Sequence, residues 1–216
     1  MTAALRPALL VATTNSGKLR EIRELLGGVA VDLVTLGDLP PIAAPDETGS
    51  TFEENARLKA TYYSTQTGRL TVAEDSGLVV DALGGAPGVH SARYVRPDAS
   101  YAERFDEIYT RLQQRPEAGR SARFVCALAV ADGNTVVFET TRTVEGEIAA
   151  APRGTAGFGY DPIFLFPAYQ RTLAEVTRDE KLAVAHRGKA FRDLAGWLST
   201  RWPDWEASRG PAVNQG

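Results

Sequence analysis

The stretch "ARFVCALAVADGNTVVFETTRTVEGEI" (122–148) constrains the fold most. Two long runs rich in Val, Phe and Thr flank Asp132-Gly133-Asn134, and Gly and Asn tolerate the backbone angles of a tight hairpin turn. The pattern predicts a long antiparallel hairpin. An isolated hairpin is marginal in water, so it needs sheet partners and a cover for its apolar faces. The remaining chain offers both, because apolar strands there alternate with capped helices, the order that builds parallel crossovers. The expected class is therefore α/β, with a mixed sheet flanked by helices.

"LLVATTNSGKLREIRELL" (9–26) opens that alternation. It reads as a strand from Leu9 to Thr13, then a helix with Leu19, Ile22, Leu25 and Leu26 on one face and Gly27-Gly28 as its stop. Residues 29–39 read as a second strand and 40–50 as a Pro-rich loop. Ser50 or Thr51 caps a helix that runs to about Thr67, with Glu53 or Glu54 completing a capping box. Residues 70–74 and 78–83 read as two strands split by a turn at Asp75-Ser76-Gly77, and 84–98 as a loop. Ser100 with Glu103 opens a helix that turns Phe105, Ile108 and Leu112 inward. A Gly-rich loop (151–167) enters an aromatic strand. Thr177 with Glu180 caps a further helix, and 186–202 closes the fold with Phe191, Leu194, Ala195 and Leu198 on one stripe. With no repeat or linker, 1–207 is expected to be a single domain and 208–216 a frayed tail.

The 216 residues, 44% of them apolar, suffice for a real core. A net charge of −3 supplies no global basic field, which argues against nucleic acid as a partner. The single cysteine, Cys126, makes neither an internal disulfide nor a Cys-based metal cluster and reads as a small buried hydrophobe. No run approaches the ~18 apolar residues of a membrane span, and the N-terminus lacks a signal-peptide layout. A soluble cytoplasmic protein without a membrane partner is expected.

Five features carry candidate chemistry. Between the first strand and helix, "TTNSGK" (Thr13, Thr14, Asn15, Ser16, Gly17, Lys18) is either a turn with a cap or an anion seat at a helix N-terminus; it lacks the P-loop pattern. On the second helix, Asn55 and Lys59 fall within the apolar side formed by Phe52, Ala56 and Ala60. A lysine there needs a counter-charge or a wet cleft. Glu74 and Asp75 end an apolar strand, a frequent setting for Mg²⁺ carboxylates as well as for an Asp that organises a turn. "GFGYDPIF" (157–164) presents aromatics in a Gly-rich loop, suited to stacking on a base or to packing on itself. Lys181, His186, Arg187 and Lys189 cluster at a helix junction. His90 reads as surface, and no serine-hydrolase triad is visible. Carboxylates and a polyphosphate repel, so one site holding both implies a divalent metal. Together the features describe a metal-dependent nucleotide phosphohydrolase.

These motifs resemble one family, the inosine/xanthosine triphosphate pyrophosphatases (XTP/dITP diphosphatases). The matching segments are "TTNSGK", "ETGSTFEENARLKA", "AEDSGLVVDALGGAPGVHSARY", "GFGYDPIF" and "EKLAVAHRGKAFRDL", in the family's order over nearly the whole chain. The resemblance implies a long, twisted mixed sheet, two lobes with a central cleft, a homodimer and Mg²⁺. It implies conversion of ITP, dITP and XTP to the monophosphate and pyrophosphate. By position, Thr13 to Lys18 and Lys59 would hold the phosphates, and Glu47, Glu74 and Asp75 the metal, with Asp75 also the general base. Ser76 would touch substrate. Phe158 would stack on the base beside Gly159, Tyr160 and Asp161, and Lys181, His186 and Arg187 would read its edge. The family often has Asp at the position of Glu74 and Ser at that of Ala185; the alanine removes one hydrogen bond near the base. The rivals are a Maf-like pyrophosphatase acting on pyrimidine or modified nucleotides, against which "FGYD" and "HRGK" argue, and a nucleotide-binding module without catalysis, against which the retained carboxylates argue.

Overall fold

The computed structural model describes residues 8–201. The strands are β1 (Ala8–Val11), β2 (Asp32–Thr35), β3 (Thr71–Val80), β4 (Ser121–Asp132), β5 (Thr135–Ile148), β6 (Phe164–Phe166) and β7 (Arg171–Thr172). The helices are α1 (Ser16–Leu25), α2 (Phe52–Thr67), α3 (Tyr101–Gln113), α4 (Arg178–Val184) and α5 (His186–Thr200). The strands form one seven-stranded sheet in the order β2-β1-β3-β4-β5-β6-β7. β1 pairs in parallel with β2 and β3, and every pairing from β3 to β7 is antiparallel. The mixed α/β expectation holds, and the hairpin turns at Gly133-Asn134, between β4 and β5.

Strand alternation explains why β4 is apolar on both sides. Cys126, Leu128 and Val130 join a core with Ile22 of α1 and Phe191 and Leu194 of α5. Val125, Ala127, Ala129 and Ala131 join a second core with Phe52, Ala56, Ala60 and Tyr63 of α2. The alanines let α2 lie close on the sheet. A third core, with Leu78, Phe105, Ile108, Phe124 and Phe164, fills the other end of the sheet beneath α3.

The expected caps are present. Thr51 and Glu54 make a reciprocal capping box on α2, as do Ser100 with Glu103 on α3 and Thr177 with Glu180 on α4. Three expectations need correction. The second strand is only Asp32–Thr35, because Asp38 accepts from the backbone and hydroxyl of Thr35 and curls the chain into a 3₁₀ turn. The loop 84–98 contains a 3₁₀ segment, Gly88–Arg93. Most consequentially, Asp75-Ser76-Gly77 is no turn. β3 runs through it, paired with Ala127, Cys126 and Val125 of β4. Gly77 marks a narrow passage instead: a Cβ there would lie 2.3 Å from Ser91 Oγ and 2.6 Å from the Gly88 carbonyl. The expected end of α5 at Trp202 and the tail at 208–216 lie outside the described residues.

Candidate active site

The site arises where two strands part. β1 pairs with β3 only through Leu10–Thr71 and Val11–Val72, then leaves the sheet to enter α1. β3 continues, and a cleft of about 360 Å³ opens beside its edge. Alternation along β3 sends Glu74 and Ser76 towards α5 and Asp75 towards α2, yet all three line the cleft because it wraps that edge.

On the α2 side, Lys59 Nζ lies 2.8 Å from Glu47 Oε1 and 2.9 Å from Asp75 Oδ1. Arg93 reaches the other Glu47 oxygen at 3.3 Å, and Asn55 Nδ2 donates to Asp75 Oδ2 at 3.3 Å. Burial works against the Lys59 charge, but Asp75 and Glu47 outweigh it and raise its pKa. Burial likewise opposes the Glu47 charge and is overcome by Lys59 and Arg93, which lower its pKa. The lysine on the apolar face thus has its counter-charges.

On the α5 side, the buried Arg187 donates to Glu74 Oε1 at 2.7 Å, Glu21 Oε2 at 2.7 Å and Ser76 Oγ at 3.0 Å. Cys126 donates its thiol to the second Glu74 oxygen at 3.1 Å, so it is a hydrogen-bond donor as well as a buried apolar group. Burial would raise the pKa of Glu74, but Arg187 and Lys18 drive it far below the usual carboxylate range. Lys181 bridges Asp161 Oδ2 (2.6 Å) and Glu21 Oε1 (2.8 Å). Burial raises the Asp161 pKa against the pull of Lys181.

Asn15 caps α1 by accepting from the Lys18 amide at 3.0 Å, and the Asn15 amide donates to Thr13 Oγ1 at 3.2 Å. Thr13, Thr14, Asn15 and Lys18 line the cleft; Ser16 and Gly17 line an adjoining cavity of about 480 Å³. Burial lowers the Lys18 pKa, with Glu74 opposing and Arg187 reinforcing the shift. Phe158 stands at both cavities. Its ring lies 4.6 Å from Lys181 Nζ and 5.4 Å from the Arg187 guanidinium carbon, a cation–π arrangement. It also rests on Gly17, where a Cβ would meet the ring at 3.0 Å, so any side chain at position 17 would crowd it. Asp161 accepts from the Phe158 amide at 2.8 Å and shapes the loop; Gly159 lines the cleft, and Tyr160 OH donates to the Ser91 carbonyl at 2.8 Å.

His186 stacks on Phe124, with ring centroids 4.8 Å apart and planes 15° off parallel. Its Nδ1 is buried and, among the described residues, has no hydrogen-bond partner. Burial, aided by Arg187, pushes its pKa well below that of a free histidine. Ala185 is the N-cap of α5 and offers no side-chain acceptor to it. A consequence is measurable. With a folded pKa below the unfolded value of ~6.5, the unfolded chain gains a proton below that pH and the folded chain does not. Stability should fall as pH drops from ~6.5 to 5, by up to ~1.4 kcal/mol per unit, and His186→Gln should lose this component. Urea unfolding across that range checks it; equal slopes in both proteins would refute a buried neutral imidazole.

All the expected site residues therefore meet in this cleft or its neighbour. Sequence reasoning missed Glu21, Arg93 and Phe124. Glu21 was detectable in principle: three residues after Lys18 and four before Leu25, it borders the inner stripe of α1. Arg93 carried no signal, because its approach to Glu47 depends on how the 88–93 segment folds back.

The donor set suits a hard divalent cation. Glu47 and Asp75 converge on one point, now held by the Lys59 ammonium, and Mg²⁺ is commonly bound by one or two carboxylates plus substrate phosphates. Among the described residues no three His, Cys, Asp or Glu side chains form a ready-made metal cage. Glu74 lies behind the pair, its oxygens taken by Arg187 and Cys126.

Residues 9–197 match the family model of the Ham1 family. This chain belongs to the Ham1 family. A dITP/XTP pyrophosphatase of Gloeobacter violaceus is 49% identical over 191 residues, covering 88% of this chain and 94% of the relative. One from Exiguobacterium sibiricum is 44% identical over 192 residues, covering 89% and 97%. The solved structure of a HAM1 protein from Coxiella burnetii superposes with a TM-score of 0.81 at 41% identity, over 89% of this chain and 98% of that one. Among the described residues of this Ham1-family chain, no helix is long and apolar enough to cross a membrane.

Proposed function

We propose that this chain hydrolyses deaminated purine nucleoside triphosphates (dITP, ITP and XTP) to the nucleoside monophosphate and pyrophosphate, and so clears them from the nucleotide pool. The observation that carries this reading is the composition of one cleft: a capped helix N-terminus with Lys18 and Lys59, a carboxylate pair, and the Phe158–Lys181–His186–Arg187 cluster. The first set suits a triphosphate, the last a keto purine. Kinship with proteins named dITP/XTP pyrophosphatases supports the same substrate class. The further proposals are Mg²⁺ as cofactor, a cytoplasmic location, a homodimer and a single domain over 1–207.

In this mechanism Thr13 to Lys18 and Lys59 bind the phosphates, using the α1 amide groups and two cations. Asp75 accepts a proton from the attacking water, whose oxygen bonds to the α-phosphorus as the bond to the departing pyrophosphate breaks. Magnesium, held by Glu47 and Asp75 with the Glu74 charge behind them, would neutralise the polyphosphate and make the α-phosphorus more electrophilic. Lys18 and Lys59 stabilise the charge that accumulates on pyrophosphate. Phe158 and Tyr160 bound the base, Ser76 and Asp161 hold the local geometry, and Lys181, His186 and Arg187 supply donors to its keto edge. An adenine 6-amino group leaves those donors unpaired, which should cost ~10²-fold or more in selectivity.

The test is a panel of ITP, dITP, XTP, ATP, GTP and dTTP with Mg²⁺ or chelator. Pyrophosphate released from ITP, dITP and XTP, at least ~10²-fold faster than from ATP and abolished by chelator, is expected. Preference for dTTP, or orthophosphate as first product, would contradict the reading.

A further inference from the structure

We propose that Lys59 is a resident counter-cation that keeps the Glu47–Asp75 pair closed to divalent ions until a polyphosphate takes over its ammonium group. The inference rests on the proposed metal-dependent reading and adds an order of events to it.

Each oxygen of the pair has a hydrogen-bond partner. Glu47 gives one oxygen to Lys59 and the other to Arg93; Asp75 gives one to Lys59 and the other to Asn55. Two cations face two anions, so the cluster is neutral as it stands. The Lys59 side chain is 13% exposed and that of Asp75 9%, so their contact is shielded from solvent, whereas Glu47, at 28%, faces the open side of the cleft. A divalent ion arriving alone must break both Lys59 contacts and leave an ammonium in a cleft wall beside Ala56, Ala60 and Tyr63, where an unpaired charge is costly. Arg93 would still hold Glu47 and oppose the incoming charge.

A polyphosphate removes that cost. Its oxygens give Lys59 new acceptors inside the same cleft. The ammonium moves from carboxylate to phosphate, and one oxygen each of Glu47 and Asp75 becomes available to a cation. Polyphosphate and divalent ion therefore favour one another's binding, and by thermodynamic reciprocity each raises the affinity of the other equally. In the nucleotide-free protein, Lys59 suppresses cation binding at the pair.

The experiment is calorimetric titration of Mn²⁺ into the full chain without nucleotide, for wild type, Lys59→Met and Lys59→Gln, with folding checked by thermal unfolding. Both variants should bind Mn²⁺ about ten-fold or more tightly than wild type, within the usual range of coupling between sites. Adding Asp75→Asn to either variant should abolish the gain. Equal affinity in wild type and variants would overturn the proposal, as would variants that bind no Mn²⁺ at millimolar concentration or a gain that survives Asp75→Asn. Of the two variants, whichever folds decides the matter. Chelator-sensitive hydrolysis by wild type is measured alongside: its presence with Mn²⁺ binding indifferent to Lys59 sinks only this inference, whereas its absence sinks the metal-dependent reading beneath it.

Discussion

Asp75→Asn is expected to lower turnover of dITP ~10²–10⁴-fold, the range that a positioned general base supplies, while nucleotide affinity measured without divalent ion changes only a few-fold. The asymmetry follows from the geometry. Asparagine can keep its place between Asn55 and Lys59, since its carbonyl oxygen still accepts from either. Phosphate contacts from Lys18 and the α1 N-terminus do not pass through it. What disappears is the ability to take a proton and half of the charge that faces Lys59. Single-turnover rates measured beside equilibrium binding of a non-hydrolysable dITP analogue separate the two. A rate within ~10-fold of wild type would assign the proton to another group.

Arg187→Met should be the most destabilising substitution in the cleft. Arg187 is 3% exposed and joins Glu74 of β3 to Glu21 of α1, so one side chain ties the sheet to two helices. Its removal leaves Glu74 as a buried carboxylate with only Cys126 and the nearby Lys18 for support. Breaking a buried ion pair from one side typically costs 3–5 kcal/mol, or roughly 6–20 °C in melting temperature for a chain of this size. Glu74→Gln in the same chain should recover part of that loss, because it removes the stranded charge. Calorimetry of the single and double variants checks both statements. A melting temperature within ~2 °C of wild type for Arg187→Met would show that the network contributes little.

The two predictions mark what could and could not be read from the chain. Capping boxes at Thr51, Ser100 and Thr177 and the turn at Gly133-Asn134 are local devices, so residue order alone revealed them. Lys59 was legible for a different reason: a helix period is regular enough to place a cation on an apolar face. The break expected at Asp75-Ser76-Gly77 failed because composition suggested a turn while packing imposed a strand. β4 supplies a partner for every residue of β3, and Gly77 is small to admit Ser91. Glu21 and Arg93 were missed because their partners lie far away in sequence and become neighbours only when α1 and the 88–93 segment pack. The roles of Phe158 and of the Lys181–Arg187 cluster came from family resemblance. The residues alone left aromatic packing and helix-end solvation open as the plainer readings.

Hydrolysis of dITP in ¹⁸O-labelled water, with the label located in the products by mass spectrometry, tests the central claim most directly. Attack at the α-phosphorus predicts one labelled oxygen in dIMP and none in pyrophosphate. Label in pyrophosphate, with unlabelled dIMP, would place the attack on the β-phosphorus and contradict the arrangement of Asp75, Lys18 and Lys59 as a pyrophosphate-releasing site.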